Sequence, residues 1–184
     1  WGASYEKDFG VKFLGSKAND GAATRRGNNG SGVIDGSRII LPVGGTKGAS
    51  LVCFDKLTGK VLWRSGDDEA AYSSFMVATL AGERQVVAFT AEALLGADVA
   101  TGRILWRVPL KTNAKRHAAS PVILGDRVVV NSHSIGMVCF EISRAADGLK
   151  ASQAWANPGL LINLATSVAV GGCLYTQGAR GDFV

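Results

Sequence analysis

An all-β fold assembled from repeated four-stranded units is what this sequence predicts, and two observations carry that prediction. The first is a phrase that occurs twice, 43 residues apart: residues 51–63 read Leu-Val-Cys-Phe-Asp-Lys-Leu-Thr-Gly-Lys-Val-Leu-Trp, and residues 94–106 read Leu-Leu-Gly-Ala-Asp-Val-Ala-Thr-Gly-Arg-Ile-Leu-Trp. Asp55, Thr58, Gly59 and Trp63 map onto Asp98, Thr101, Gly102 and Trp106 with one constant offset. A degraded third copy, Met137 to Glu141, follows at the same interval, and its Trp155 arrives late. The second observation is a succession of short β-rich runs at roughly ten-residue spacing with turn residues between them. A period of about 40–45 residues with that punctuation marks a partial β-propeller with one four-stranded antiparallel blade per repeat.

The elements fall in order. Residues 1–30 read as the end of a preceding blade plus a long connection rich in Gly, Ala, Asn and charge. Connections of that length inside a compact domain are functional or disordered. A first full blade spans 31–64, with apolar runs at Val33-Ile34, Ile39 to Leu41, Leu51 to Phe54 and Val61 to Trp63. A second spans 73–107, with runs at Phe75 to Thr79, Val86 to Phe89, Leu94-Leu95 and Ile104 to Trp106. A third spans 118–156, with runs at Val122 to Leu124, Val128 to Val130 and Met137 to Phe140 and a last strand near Trp155. Residues 166–184 begin a further, truncated blade with Val168 to Val170 and Leu174-Tyr175. Each blade's first hairpin turns on a glycine-bearing pair: Asp35-Gly36, Ala81-Gly82, Gly125-Asp126 and Gly171-Gly172. No segment sustains a 3.6-residue apolar period, so no helix is expected.

The repeated phrase has its own physics. The Asp carboxylate accepts backbone N–H groups two and three residues on and shapes a turn, and the Thr hydroxyl assists. The Gly supplies a positive φ that other residues adopt poorly. The Trp is the largest side chain available to wedge between neighbouring blades. Trp63, Trp106 and Trp155 are therefore expected to be buried at blade junctions. In the third blade Glu141 replaces the turn Asp and the turn is six residues longer, so it is expected to be built differently.

The pattern Asp-x-x-Thr-Gly-x-x-x-Trp resembles the tryptophan-docking repeat of the pyrroloquinoline quinone (PQQ)-like propellers of the quinoprotein alcohol dehydrogenase-like superfamily. The stretches Gly44 to Ser50 and Arg64 to Glu69 add to the likeness, which covers about residues 31–176. The resemblance implies a bacterial propeller of about eight blades. Trp1 stands where a docking Trp belongs and Asp182 to Val184 where a third strand would begin, so the chain reads as an internal piece completed by remaining blades of the same protein. An arc of blades on its own would expose two apolar faces and be sticky.

Net charge is +5, with the cations scattered, which reads as solubility and not as a nucleic-acid surface. No apolar run is long enough to form a transmembrane segment. Cys53 and Cys139 occupy one repeat position two blades apart, too far for a disulfide, and Cys173 leads an apolar pair, so all three are expected to be free.

In an up-and-down blade alternate turns fall on opposite faces. The loops after each second strand and the blade-to-blade connections share one face, the one on which propellers bind ligands near the channel. The candidates there are Lys47, Glu92, His133 and Arg180 from the inner loops and Lys115, Arg116 and His117 from a connection. Lys111, Lys115, Arg116 and His117 form a local basic cluster that could grip an anion, the alternative being a solvated loop. The two histidines have no metal-ligand spacing, and Asp67-Asp68-Glu69 lacks the alternation of a calcium loop. No catalytic, cofactor-binding or metal residue is therefore assigned.

Two functions follow from the resemblance. One is a non-catalytic binding or scaffold module for a protein or other macromolecule, periplasmic or otherwise exported, of the kind used in bacterial outer-membrane assembly. The alternative is a PQQ- and calcium-dependent dehydrogenase of alcohols or sugars. Such enzymes hold the quinone between a Trp and a disulfide of adjacent cysteines, with Glu, Asn or Asp on calcium. This sequence has no adjacent cysteines, and Trp1, Trp63, Trp106 and Trp155 all fit the docking position.

Overall fold

The computed structural model describes residues 1–11, 29–112, 115, 117–178 and 181–184. One short helix, α1 (Tyr5–Phe9), precedes fourteen strands: β1 (Val33–Asp35), β2 (Arg38–Gly45), β3 (Ala49–Asp55), β4 (Val61–Ser65), β5 (Met76–Leu80), β6 (Glu83–Phe89), β7 (Ala93–Asp98), β8 (Ile104–Pro109), β9 (Val122–Leu124), β10 (Arg127–Ser132), β11 (Gly136–Ala145), β12 (Gly148–Asn157), β13 (Val168–Val170) and β14 (Cys173–Tyr175). Sheet order follows the chain in three four-stranded sheets, β1-β2-β3-β4, β5-β6-β7-β8 and β9-β10-β11-β12, followed by the two-stranded β13-β14. All pairings are antiparallel, so the architecture is the expected partial propeller.

Each blade's middle strands are buried on both faces because a blade packs against a neighbour on either side. One apolar cluster joins Ile40, Leu51, Cys53 and Trp63 of the first sheet to Val86, Ala88, Leu95 and Ala97 of the second. Another joins Val87, Phe89, Leu94 and Trp106 of the second to Val128, Val130, Phe140 and Ile142 of the third. Strands running through such a double-sided core read as continuous apolar stretches, which is why β3, β6 and β7 show no alternation.

The repeated phrase acts as a joint between blades. Asp55 Oδ1 accepts the backbone N–H groups of Leu57 and Thr58 and the Thr58 hydroxyl at 2.8–3.1 Å. Asp98 does the same for Ala100 and Thr101 at 2.7–3.0 Å. Each turn ends on a glycine with φ above +70°, and the preceding tryptophan lies on that glycine: Trp1 on Gly59 and Trp63 on Gly102. The Trp63 indole N–H donates to Val99 O at 3.0 Å, crossing from one blade to the next. A one-residue bulge precedes each partnered tryptophan, since Cys53 pairs Trp63 but Phe54 pairs Val61, Gly96 pairs Trp106 but Ala97 pairs Ile104, and Cys139 pairs Trp155 but Phe140 pairs Gln153. The bulge aims the indole out of its own sheet.

Trp106 is buried by a different device. Its indole N–H donates to Gln85 Oε1 within its own blade, and Gly96 leaves the room that the Gln85 amide and the indole fill. The six extra residues of the third blade lengthen β11 and β12 into a ribbon, with Glu141 to Ala145 paired to Ser152 to Gly148. Ile142, Leu149 and Ala151 on this ribbon pack into the cluster that contains Trp106 and Leu80, and Arg144 bonds Glu83 at 3.0 Å. The ribbon thus takes the place of the missing Asp-Thr-Gly turn.

Three expectations are corrected. Trp155 is 38% exposed rather than buried, because the sheet after it has two strands and brings no Asp-Thr-Gly turn against its ring. A helix does exist: Ser4 caps α1 by accepting the Lys7 N–H at 3.2 Å, and Gly10 ends it in the left-handed region. At five residues α1 is too short for periodicity to reveal. The first blade's outer face is not bare, since Trp1 stacks on Phe54 with ring centroids 5.3 Å apart and Phe9 and Val11 pack on Val43, Val52 and Phe54. At the other end, Leu164, Val168, Val170 and Phe183 are exposed.

Candidate functional site

On the loop face the second blade and its flanking connections carry a network of ion pairs. Asp67, Asp68 and Glu69 leave the connection after β4 in three directions. Asp67 accepts the Gly48 N–H at 2.7 Å and ties down the loop between β2 and β3. Asp68 is 7% exposed and takes the Thr90 hydroxyl at 2.8 Å and the Arg107 guanidinium at 2.7 Å. Glu69 meets Lys115 at 3.4 Å. Lys115 also reaches Glu92 at 3.5 Å, and Lys111 reaches the other oxygen of Glu92 at 3.5 Å. Lys111 and Lys115, the described lysines of the basic cluster, are thus both matched by carboxylates.

His117 lies beneath this network and is fully buried. Its ring stacks on Phe89 at 4.0 Å with 5° between the planes, and Nδ1 sits 2.6 Å from Thr90 O. A carbonyl only accepts, so Nδ1 carries the proton. His117 therefore cements the connection between the second and third blades, helped by the Tyr72 N–H donating to its carbonyl at 3.1 Å. His133 is half-buried in the loop between β10 and β11, beside the Ser132 hydroxyl at 3.3 Å, in surroundings of its own. Lys47 is exposed at the tip of the first blade's loop. Arg116 and Arg180 lie outside the described residues, as do Arg25, Arg26 and Asn28 of the first connection.

Among the described residues no three His, Cys, Asp or Glu side chains gather within a metal's reach. Among the described residues the carboxylates of Asp67, Asp68 and Glu69 diverge to separate partners, and the indoles of Trp1, Trp63 and Trp106 are engaged in packing, whereas Trp155 is 38% exposed.

Sequence reasoning missed a second, hydroxyl-based repeat around the channel end of the blades. Ser31 N donates to Ser74 Oγ at 3.0 Å, Ser74 N to Ser120 Oγ at 3.2 Å, and Ser120 N to Thr166 Oγ1 at 3.0 Å. Each of these residues stands two positions before its blade's first strand. A hydroxyl from one blade thus satisfies a backbone donor of the blade before it, fixing the inner strands relative to one another. The signal was available as a Ser or Thr recurring two residues ahead of Val33, Met76, Val122 and Val168.

The thiols behave as packing groups. Burial pushes Cys53 up to about 11, against a smaller opposing pull from Arg38, and raises Cys139 likewise. Both are buried and free, whereas Cys173 is free and exposed. A cavity of about 640 Å³ lies between the third blade and β13-β14, lined by Leu124, Arg127, Cys139, Trp155 and Leu174 among others. It occupies the space against Trp155 where a neighbour's turn sits on Trp63.

The family model described as outer membrane protein assembly factor BamB, a PQQ-like repeat family, matches residues 21–183. The chain belongs to that family. No curated protein matches it. Among the described residues no helix is long and apolar enough to cross a membrane.

Proposed function

We propose that this member of the BamB-like propeller family is a non-catalytic binding module that holds a protein or other macromolecule on its loop face, in the cell envelope. The family's description speaks of outer-membrane protein assembly, and that is the process in which the partner is sought. The observation that carries the reading is how the loop face spends its chemistry. Asp68, Glu69, Glu92, Arg107, Lys111 and Lys115 pair with one another, and His117 is packed on Phe89. This rigid, charge-balanced platform suits recognition of a large surface better than proton transfer. A general acid or base needs a titrating group that reaches its substrate, and His117 is buried from solvent.

Lys47 is exposed and His133 half-buried on two loops of this face, and these are the positions from which we would probe for a partner. A photo-crosslinking side chain placed at either position in the full chain is expected to form a discrete adduct with a polypeptide of the outer-membrane assembly machinery. The same group at Leu57, which is 80% exposed on the opposite face, is expected to form none. Equal labelling from Leu57, or adducts with no envelope component, would contradict the loop-face reading. Cell fractionation tests export separately, since the reading places the protein in the periplasmic fraction.

A further inference from the structure

We infer that the cavity against Trp155 is a docking site for a protein partner that carries an Asp-x-x-Thr-Gly turn, with the turn's glycine on the indole ring and the carbonyl after its aspartate on the indole N–H. The inference rests on the protein-binding reading above and names a second surface and the chemistry of what it takes.

The blades satisfy their tryptophans in two ways, and the residues beside each indole decide which. In the second blade the bond is made at home. Gln85 pairs across from the turn acid Asp98, and Gly96 across from Trp106. Gln85 Oε1 accepts the Trp106 N–H, and a Cβ at residue 96 would lie 2.2 Å from that oxygen. This device needs a side-chain acceptor and a glycine. The first blade has neither: Arg38 pairs across from Asp55 and Cys53 across from Trp63. A guanidinium only donates, and a cysteine carries the Cβ for which residue 96 has no room. Trp63 therefore reaches outward and donates to Val99 O of the next blade at 3.0 Å. The third blade repeats the outward set, with Arg127 across from Glu141 and Cys139 across from Trp155, ahead of the same bulge. Trp155 thus has no such acceptor within its blade, and it is 38% exposed where Trp63 is 8% exposed.

The two indoles covered from outside define the occupant. The Trp1 N–H goes to Lys56 O and the Trp63 N–H to Val99 O, both at 3.0 Å, and each carbonyl belongs to the residue after a turn aspartate. Each ring lies against the turn glycine, Gly59 at φ +73° and Gly102 at φ +76°, where a Cβ would sit 2.5 Å from the ring. At Trp155 the matching space is the cavity of about 640 Å³, a size that holds ligands. Leu124, Cys139 and Leu174 give it apolar walls, and Glu141 holds Arg127 at 3.8 Å. A turn of this type suits such walls because its carboxylate is bonded within the turn, as at Asp55 and Asp98. Trp1 and Trp63 already occupy this chain's own two turns of that sequence, so a partner supplies the third.

The test adds to the full chain a disulfide-closed hairpin peptide carrying Asp-Val-Ala-Thr-Gly, the sequence of residues 98–102. Anisotropy of the labelled peptide and the protein's indole N–H signals in NMR spectra are followed together. Saturable binding that moves the Trp155 signal and leaves those of Trp63 and Trp106 in place is expected. A peptide with alanine in place of glycine should bind about fivefold or more weakly, the cost of a Cβ pressed on the ring. Trp155→Phe, which keeps a ring and loses the N–H, should weaken binding about two- to tenfold. Arg127→Gln with Cys139→Gly installs the set found around Trp106; it should slow exchange of the Trp155 N–H without peptide and abolish binding. No saturable binding, equal binding of the alanine peptide, or binding indifferent to both variants overturns the inference. A Trp155 N–H already protected before peptide is added overturns it as well, since the protein then supplies the occupant itself. A dimer in which Trp155 takes the Asp55 turn overturns it in favour of a second copy. Loop-face crosslinks at Lys47 or His133 that survive while the peptide fails leave the earlier reading standing and refute this one alone.

Discussion

Replacing Gly102 by alanine separates the two things that this glycine does. Its φ is +76°, and a Cβ there would meet the Trp63 ring at 2.5 Å. The left-handed backbone costs an alanine about 1–2 kcal/mol. Overpacking against a ring that cannot withdraw adds about 1–3 kcal/mol. Trp63 cannot withdraw freely because it is 8% exposed and bonded to Val99 O. Gly125→Ala is the control: its φ is +57° and a Cβ there meets nothing within 4 Å. It should show the backbone cost alone. Urea unfolding followed by far-UV circular dichroism gives both values, with unchanged m-values as the check that only the native state is affected. Gly102→Ala should be less stable than Gly125→Ala by about 1–3 kcal/mol, and the excess should vanish when Trp63→Ala is added, the signature of direct coupling. Equal costs for the two glycine variants, or an excess that persists without the indole, would refute the joint between blades.

Three further outcomes are expected. In native protein a thiol reagent should modify Cys173 quickly, and Cys53 and Cys139 should react only on unfolding; a fast Cys53 would contradict its burial. Asp55 is held below the ordinary carboxylate range by its bonds from the Thr58 backbone and hydroxyl. At Asp98 burial pushes upward, but the bonds from Thr101 and Ala100 outweigh it. Both folded values lie below the unfolded one, so their contribution is complete above the ordinary range near pH 4 and is lost as pH falls through the folded values. Asp98→Asn, which keeps an acceptor oxygen, should lessen the acid-side decline in a pH series of urea midpoints, and an unchanged slope would refute the assignment. Ser120→Ala removes the acceptor of the Ser74 N–H and should cost about 1 kcal/mol in the same unfolding assay; no cost would mean that the hydroxyl repeat is incidental.

Much of the fold could be read in the sequence because local chemistry repeated. Asp55 and Asp98 build the turns that the Asp-x-x-Thr-Gly spacing foretold, since an Asx-type turn is set by residues next to one another in the chain. Trp155 could not be read the same way, because burial of a docking residue depends on what the next sheet brings to it. The cover of Trp106 was equally hidden: the insertion was visible as length, but only folding shows Ile142 and Leu149 lying over the preceding blade. Loop-face residues were the least legible. Lys115 and Glu92 share an ion pair across separate loops, and His117 turned out to be packing despite its polar neighbours in the chain. The serine repeat was legible and overlooked, because a hydroxyl ahead of a strand resembles an ordinary turn residue until its partner one blade away is seen.

The central claim, recognition without quinone chemistry, meets its most direct test in a calorimetric titration of the full chain with PQQ in the presence of calcium. The account predicts no saturable heat and no change in tryptophan fluorescence: the indoles of Trp1 and Trp63 lie on Gly59 and Gly102 and that of Trp106 is bonded to Gln85, so the readout falls on Trp155, which lines the cavity beside the third blade. Saturable binding at micromolar PQQ, abolished by a chelator, would contradict it and restore the dehydrogenase reading.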